Sequence, residues 1–312
     1  MSDSVRVSVV MPLYNAEKYV KSALGSALAS DLRELEVIVV DDGSRDASAA
    51  IVAAIDDPRV TLLRTTPPSG GPSRPRNTGI ARARAPYIAL LDADDLLKPH
   101  KLSAAIAALE RHPQAGFVFG DFERIDAQGA LLEASTLAGY PVFQSLAAVE
   151  LQPPWRLIPQ AELARGLLYE NFIGTSGVVM RKELLDEIGG FDETLVCSED
   201  RDLWFRAAHH GAALYCNEVG HSYRVIPSSL SHAPVIRNAR CRIAVLQREK
   251  ARWTDAAARA QVKQLITENL ANIAYAYWRS RRRFAAVLLF LQVFARSGQL
   301  RWLRGAFGSL LP

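Results

Sequence analysis

Residues 87–95 read Tyr-Ile-Ala-Leu-Leu-Asp-Ala-Asp-Asp, so an apolar run of strand type ends directly in an acidic cluster. The carboxylates of Asp92, Asp94 and Asp95 repel one another and lose hydration at the end of a buried strand. A hard divalent cation that holds a diphosphate would compensate them, because Mg²⁺ and Mn²⁺ usually bind through one or two carboxylates plus substrate phosphates. The alternative is a solvated acidic turn that caps the next helix.

Two earlier apolar runs end in a similar way. Val5–Met11 is followed by Pro12-Leu-Tyr-Asn, and Leu35–Val40 is followed by Asp41-Asp-Gly-Ser. Helical spacing of apolar residues separates these runs, and strands that alternate with helices predict a parallel α/β sheet. Ligands of such sheets bind beyond the carboxyl ends of the strands. The sequence therefore predicts an α/β fold, a mostly parallel sheet flanked by helices, with its polar groups at one edge.

The remainder of the chain divides into three kinds of pattern. Residues 125–165 are rich in Pro and Gln and predict an irregular insert over the site. Phe172–Met180 predicts a further strand, and the pattern after about residue 233 is helical to the end.

The net charge of +4 is a local property of the chain. Residues 271–312 contain no Asp or Glu, and without their seven arginines the remaining 270 residues carry a net charge of −3. A nucleic-acid partner is not predicted, since no basic stripe crosses the fold. The seven arginines are Arg279, Arg281, Arg282, Arg283, Arg296, Arg301 and Arg304.

Several function classes lack their main sequence signals. No Walker A motif is present and no GxGxxG follows the first strand, which argues against ATPases and Rossmann dehydrogenases. The six histidines show neither HExxH nor another zinc spacing. No basic segment followed by an apolar stretch opens the chain, so a cytoplasmic protein is expected.

Three further groups allow both a functional and a structural interpretation. Asp42 would bind a sugar or base, or it would only complete a turn and cap. Arg76 would reach a phosphate with its charge-assisted fork, or lie in a solvated loop. Glu199-Asp200 would supply a general base, or cap the helix that follows.

Six motifs in this order resemble the family 2 glycosyltransferases of GT-A fold, over about residues 5–232. Each motif alone is weak, but their order and spacing together are specific. They are Val7-Ser-Val-Val-Met-Pro-Leu-Tyr-Asn15, Val39-Val-Asp-Asp-Gly-Ser44, Arg76-Asn-Thr-Gly-Ile80, Leu91-Asp-Ala-Asp-Asp95, Gly189-Gly-Phe-Asp-Glu193 and Glu199-Asp-Arg-Asp-Leu-Trp204.

The resemblance implies a role for individual residues in a nucleotide-sugar site. Pro12, Tyr14 and Asp42 would line the base, with Asp42 as its direct contact, and Arg76 would lie near the diphosphate. Asp92-Ala-Asp94 would be the family's DxD motif.

In that motif Asp92 would face the ribose and Asp94 would bind Mn²⁺ or Mg²⁺, with Asp95 as a second metal candidate. Asp200 would be the catalytic base, assisted by Glu199. Thr175 and Ser176 would lie near the acceptor and the transferred sugar, and a weaker match at Tyr223-Arg224, Ser229 and Ser231 would close over the diphosphate.

The expected reaction is a metal-dependent, inverting transfer of a sugar from a nucleoside-diphosphate donor, UDP-sugar by preference. The acceptor would be a hydroxyl of a saccharide or lipid-linked molecule, as in bacterial envelope polysaccharide biosynthesis. Gln247 and Arg252-Trp253 only approximate the motif of processive members, which favours a non-processive enzyme. The alternatives are a sugar-nucleotide-forming nucleotidyltransferase and a non-catalytic nucleotide-sugar-binding protein; the former usually has an early glycine-rich loop, and residues 11–18 contain no glycine.

The same resemblance divides the chain into a catalytic domain, 1–232, and a helical, basic C-terminal region, 233–312. Within the first, the nucleotide-sugar half would span about 1–121 and the acceptor half about 122–232. Residues 275–304 are too short in apolar sequence to span a bilayer, and they predict contact with an anionic membrane surface at the inner face of the cytoplasmic membrane. The alternative is a helical hairpin packed on the catalytic domain or on a second subunit.

Overall fold

The computed structural model describes residues 4–226 and 234–308, with side chains to residue 304. The chain forms two compact units, 1–226 and 227–312. The expected domain boundary at 232/233 stays a prediction, because residues 227–233 lie outside the described part, and so does the division near residue 121.

The first unit is built on a mixed, mostly parallel sheet. Its parallel half forms where the apolar runs predict strands, because β-branched and leucine side chains cover both faces of a buried parallel sheet. β1 (Val7–Leu13), β2 (Leu35–Asp41) and β4 (Tyr87–Leu90) are almost entirely buried, and β3 (Val60–Arg64) lies at the edge. β1 pairs in parallel with β2 on one side and β4 on the other.

The second half of the sheet continues from β4. The described residues give eleven strands in one sheet, with the order β3-β2-β1-β4-β10-β6-β11-β9-β8, while β5 pairs with β11 and β7 with β6. β10 is antiparallel to both of its neighbours, whereas β6 and β11 are parallel with irregular register. The remaining strands are β5 (Leu96–Leu97), β6 (Ala115–Ile125), β7 (Leu131–Glu133), β8 (Val149–Glu150), β9 (Trp155–Ile158), β10 (Val179–Arg181) and β11 (Ala212–Arg224).

Helices cover the sheet through apolar faces of helical spacing, such as Val20, Ala23, Leu24 and Ala27 of α1. The helices of this unit are α1 (Val20–Leu28), α2 (Ser48–Ala53), α3 (Ser73–Arg82), α4 (Lys101–Arg111), α5 (Pro141–Gln144), α6 (Gln160–Tyr169), α7 (Lys182–Ile188) and α8 (Glu199–His210), with a 3₁₀ turn at Leu137–Gly139.

Two expectations from the sequence were wrong. Residues 125–165 are not wholly irregular, since they contain β7, β8, β9 and α5. The strand expected over Phe172–Met180 is reduced to Val179–Arg181, because a turn brings the amide of Val178 to the carbonyl of Thr175 and Gly177 has a positive φ of 79°.

The second unit is helical in its described part, as predicted. Its helices are α9 (Val235–Arg252), α10 (Ala256–Arg279), α11 (Arg283–Ser297) and α12 (Arg301–Gly308). None of the helices within residues 4–226 and 234–308 combines the length and the hydropathy that a membrane crossing requires.

Candidate active site

The ends of three neighbouring parallel strands place the predicted polar groups along one edge of the sheet. The register of β1 puts Leu13, its last residue, beside Asp41 of β2, and β4 ends on the other side of β1. Tyr14 therefore follows β1, Asp42 follows β2, and the acidic cluster 92–95 follows β4.

The turn after β1 is fixed to the turn after β2. The amide of Asp42 donates to the carbonyl of Leu13 at 2.8 Å, and the amide of Asn15 donates to Oγ of Ser44 at 3.1 Å. Tyr14 is 57% exposed, and Pro12 is partly exposed at the end of its strand. The ring of Tyr14 is thus free to stack on a planar ligand.

Asp42 is buried and its carboxylate accepts four hydrogen bonds from one loop. Oδ1 accepts from the hydroxyl of Thr65 and, at 2.8 Å, from the amide of Ser69. Oδ2 accepts from Oγ of Ser69 at 2.9 Å and from the amide of Gly70 at 3.0 Å. A carboxylate offers about four acceptor positions, so in this structure Asp42 holds the segment 65–70 beside the predicted base site.

Asp95 is buried and both of its carboxylate oxygens have donors. Oγ of Ser176 donates to Oδ2 at 2.5 Å, and the amide of Arg224 donates to Oδ1 at 2.8 Å. The same Ser176 hydroxyl accepts from the amide of Asp92 at 3.1 Å. Burial, followed by the charges of Asp94 and Asp92, raises the pKa of Asp95 well above its usual range.

Asp94 differs from Asp95 in its partners. Arg224 donates through Nε to the backbone carbonyl of Asp94 at 2.9 Å, but no described side chain donates to the carboxylate of Asp94. Burial and the neighbouring charge of Asp92 raise the pKa of Asp94 to about 6. Asp94 thus has no side-chain donor on its carboxylate, whereas Asp92 accepts from Arg76 and Asp95 accepts from Ser176.

The carboxylates of the cluster could bind a divalent cation only if a substrate supplied further oxygen ligands. Nowhere in residues 4–226 and 234–308 do three His, Cys, Asp or Glu side chains form a ready ligand group. Within the described cluster, the carboxylate of Asp94 is the one that accepts no side-chain hydrogen bond, and Mg²⁺ typically needs one or two carboxylates plus substrate phosphates. The residues present fit an ion that arrives with a diphosphate.

Arg76 joins this cluster to the predicted catalytic base region. It lies on α3 with 4% exposure, and it donates through Nη2 to Asp92 at 2.6 Å and through Nη1 to Glu199 at 2.9 Å. Its guanidinium also lies over the ring of Phe191, 5.0 Å from the centroid. Burial opposes the cationic form, but Asp92 and Glu199 outweigh it and raise the pKa of Arg76.

Glu199 and Asp200 begin α8, where the helix N-terminus favours negative charge. Asp200 is partly exposed; its Oδ2 accepts from Nδ2 of Asn171 at 2.9 Å and its Oδ1 accepts from the amide of Arg201 at 2.7 Å. Glu199 is buried, and burial and the charge of Asp200 raise its pKa although Arg76 acts in the opposite direction. Asp200 is thus the carboxylate of the pair that reaches solvent.

The predicted acceptor residues lie next to the acidic cluster. Ser176 is buried with its hydroxyl between Asp92 and Asp95, and Thr175 is partly exposed. Arg224, from the weaker late motif, ends β11 and contacts Asp94 and Asp95. Ser229 and Ser231 of that motif lie outside the described residues.

Sequence reasoning missed the residues that hold these groups in place. Asn77 exchanges hydrogen bonds with the backbone of Phe191 at 2.8 Å each and donates to Glu193 at 3.0 Å. Asn171 donates to Asp200 at 2.9 Å, and no sequence motif marks it. Asn77 carried a signal, since it directly follows Arg76 in a quoted motif.

A known protein family matches the part of the chain that carries these residues. The profile "Glycosyl transferase family 2" matches residues 8–189, more than half of the chain. The chain belongs to glycosyl transferase family 2. The matched range contains the ends of β1, β2 and β4 together with α3, which confirms the family that the six motifs indicated.

Curated relatives of this family 2 chain include the succinoglycan biosynthesis protein ExoO of Rhizobium meliloti, 33% identical over 241 residues. That alignment covers 72% of this chain and 62% of ExoO. An uncharacterized glycosyltransferase of Rickettsia bellii is 31% identical over 203 residues, which are 64% of this chain and 27% of that protein. The chain thus spans less than two thirds of the length of these relatives.

Solved structures confirm the predicted GT-A fold. S. aureus TarS 1–349 in complex with UDP-GlcNAc has a TM-score of 0.65 and 19% identity, over 95% of this chain and 82% of that one. The mannosyltransferase PcManGT from Pyrobaculum calidifontis, in complex with GDP-Man and Mn²⁺, has a TM-score of 0.62 and 19% identity. Its match covers 99% of this chain and 81% of that chain.

Proposed function

We propose that this family 2 chain is a metal-dependent, inverting, non-processive glycosyltransferase that moves a sugar from a nucleoside-diphosphate donor to a hydroxyl. The observation that carries this proposal is the double ion pair of Arg76, which joins Asp92 of the acidic cluster to Glu199, the neighbour of Asp200. A diphosphate-binding group and a base are thereby kept beside each other at the edge of the sheet where ligands of such folds bind.

The chemical roles follow from the partners of each side chain. Asp200 takes the proton of the acceptor hydroxyl, whose oxygen forms a bond to the anomeric carbon. The bond from that carbon to the diphosphate breaks on the opposite face, and its electron pair leaves with the nucleoside diphosphate. One in-line displacement therefore inverts the anomeric centre.

Asp94 would hold Mn²⁺ or Mg²⁺ in this proposal, and Asp95 would support it through Ser176 and Arg224. A divalent ion bound there with the donor would neutralise charge on the leaving diphosphate. The structural neighbour PcManGT is in complex with both GDP-Man and Mn²⁺, which supports this proposal. Arg76 already has two carboxylate partners, Asp92 and Glu199. We therefore propose that Arg76 influences the diphosphate indirectly, by holding Asp92 in position, and not by direct contact.

We assign the nucleotide base to Pro12 and Tyr14. Asp42 is expected from the family resemblance to contact the base directly, but because its carboxylate accepts four hydrogen bonds from residues 65–70, we propose that it shapes the base site through that segment. UDP-sugar is the preferred donor, in line with the UDP-GlcNAc complex of TarS. Thr175 and Ser176 would border the transferred sugar and acceptor. The acceptor is a saccharide or lipid-linked hydroxyl of polysaccharide biosynthesis, as the relative ExoO suggests, and the reaction would occur in the cytoplasm at the inner face of the membrane.

Release of nucleoside diphosphate from UDP-, GDP- and dTDP-sugars, measured with Mn²⁺ and with EDTA, tests this function. We expect release that needs the metal. Pyrophosphate formed from a nucleoside triphosphate and a sugar phosphate would instead indicate a nucleotidyltransferase. Binding of the donor without any turnover would indicate a non-catalytic protein.

The base is tested by Asp200→Asn, which keeps the shape of the side chain but removes its basicity. We expect turnover to fall about 10²–10⁴-fold with donor binding retained. Asp186→Asn is the matched control, because Asp186 is an exposed carboxylate on α7 that pairs with Lys182 of the same helix. An Asp200→Asn variant with the parent rate would contradict the assignment.

A further inference from the structure

Helix α11 of the second unit has an apolar face on each side. On its inner side Ala286, Phe290 and Val293 are buried and pack with residues of α10 and α12. The ring centroid of Phe290 lies 5.1 Å from that of Tyr275 on α10 and 6.3 Å from that of Trp302 on α12. This side supplies the packing that holds the helix in its unit.

The opposite side of α11 is also apolar, and it is exposed. Phe284 is 77%, Leu288 53% and Leu291 41% exposed, and Ala295 continues the same spacing of i, i+4, i+7 and i+11. A surface helix normally turns polar residues to water, so an exposed apolar stripe on a helix whose inner side is already buried is expected to be covered. We call these four residues the α11 outer face.

Basic residues border the α11 outer face at both ends. Arg281 and Arg282 precede the helix and Arg296 lies in its last turn, all exposed. Residues 271–312 contain seven arginines and no acidic side chain, so the segment is strongly basic. Exposed Trp278 and Leu300 lie at the two ends of α11 along the chain.

We propose that the α11 outer face lies in the interface of an anionic lipid bilayer, with Phe284, Leu288 and Leu291 in the acyl boundary and the arginines at the headgroups. The helix has 15 residues, and at 1.5 Å per residue it is shorter than the roughly 30 Å hydrocarbon core. It therefore lies along the surface and does not cross it. An exposed apolar stripe between basic ends is the pattern of interfacial helices.

Other occupants fit these charges less well. A second copy packed face to face by two-fold symmetry would bring the exposed Arg281, Arg282 and Arg296 of two copies towards each other, which is unfavourable. A nucleic acid would suit the arginines, but the aliphatic side chains of Leu288 and Leu291 offer nothing to phosphates. Of these three occupants, the anionic lipid surface is the one that complements both the charge and the apolar face.

Co-sedimentation of the full chain with vesicles tests the proposal without any sugar nucleotide, so its failure is distinct from failure of the proposed transfer reaction. We expect binding to vesicles of phosphatidylcholine with about 30% phosphatidylglycerol, and at least tenfold weaker binding to phosphatidylcholine alone. Leu288→Gln/Leu291→Gln should weaken binding to the anionic vesicles about tenfold or more. Arg281→Gln/Arg282→Gln should weaken binding to the anionic vesicles by about fivefold per arginine. A higher salt concentration should also weaken this binding, because it screens the charges.

Matched controls separate the α11 outer face from general surface effects. Leu131→Gln/Leu132→Gln changes two leucines in β7 that are each 58% exposed, and Arg259→Gln changes an exposed arginine near the start of α10. Both should bind as the parent does. Since Phe284 is 77% exposed, Phe284→Gln gives a second test with little risk to folding, checked by circular dichroism.

Three results would overturn the proposal. The first is equal binding to neutral and anionic vesicles, or none. The second is a stable dimer in solution that Leu288→Gln/Leu291→Gln converts to monomer, which would assign the α11 outer face to a second copy. The third is tight binding to RNA that the arginine variants abolish and the leucine variants leave intact.

Discussion

Two acidic pairs lie at the carboxyl ends of the strands that flank β1, and they differ in their hydrogen-bond donors and in the direction of the pKa shifts of Asp41 and Asp94. Asp41-Asp42 closes β2 and Asp94-Asp95 follows β4. Burial alone would raise the pKa of Asp41, but hydrogen bonds from Ser44 and an ion pair with Arg64 outweigh burial, so the pKa of Asp41 is lowered. At Asp94 burial and a like charge act together, and its pKa is raised to about 6.

The number of donors explains the contrast. Asp42 accepts four hydrogen bonds from residues 65–70, and a carboxylate that is fully hydrogen-bonded needs no further partner. Asp94 has a charge that the described residues leave without a side-chain donor. Both pairs share a position at a strand end and differ in their number of donors, and we propose that this number separates a structural carboxylate from a ligand-binding one.

The largest effect should come from Arg76→Met, which removes the cation shared by Asp92 and Glu199. A buried charge that loses its partner is costly, so we expect the free energy of unfolding to fall by about 3–5 kcal/mol, measured by urea denaturation. Arg74→Met is the control, because Arg74 forms one exposed pair with Glu193 and should lose less than about 1 kcal/mol. Equal losses in the two variants would contradict the role of Arg76, and adding Glu199→Gln should restore part of its stability.

Asp94→Asn should separate function from stability at the second pair. We expect metal-dependent release of nucleoside diphosphate to fall about 10²–10³-fold, since the ion loses its available carboxylate. The melting temperature without metal should stay equal or rise, because repulsion from Asp92 disappears. A lower melting temperature with unchanged turnover would reverse our assignment of the two pairs.

Asp42→Asn should show the opposite pattern from Asp94→Asn. The amide group would face donors such as Oγ of Ser69 and the amide of Gly70, and unmatched buried donors cost about 1–3 kcal/mol. We expect the free energy of unfolding to fall by that amount, measured by urea denaturation with no ligand present. Stability equal to the parent would show that the segment 65–70 does not depend on Asp42.

The smallest effect is a pH dependence of the metal-free protein. A raised carboxyl pKa means that the folded state holds a proton that the unfolded state releases, so Asp94 makes stability fall as pH rises from about 4 to about 6. The lowered pKa of Asp41 acts oppositely, and its contribution is lost only as pH falls below about 4. Urea denaturation in EDTA at pH 4.5 and 6.5 should show this fall in the parent and a smaller one in Asp94→Asn. An identical slope in both would remove Asp94 as its cause.

The sequence predicts the strand ends well because the signals are local. An apolar run and the polar turn directly after it lie within ten residues, as at 87–95. The donors of Asp42 could not be predicted, since Thr65, Ser69 and Gly70 are 23 to 28 residues away and reach it only through the path of their loop.

Long-range partners limit the prediction of the candidate site in the same way. Arg76 and Glu199 are 123 residues apart, so the motifs mark both residues but do not reveal that they are paired. The strand expected over Phe172–Met180 failed for a related reason. The apolar residues of this segment fit a strand. The backbone turns at Ser176, however, and the Ser176 hydroxyl forms hydrogen bonds with Asp92 and Asp95.

The double ion pair of Arg76 also has a consequence for how related sequences can diverge. A lineage that replaces Glu199 alone leaves a buried guanidinium with half of its counter-charge, and one that replaces Arg76 alone leaves two carboxylates without a cation. Single steps at these positions should be rare, and a change at one should be accompanied by a change at the other. Co-variation of positions 76 and 199 among related sequences would therefore reflect the ion pair between Arg76 and Glu199.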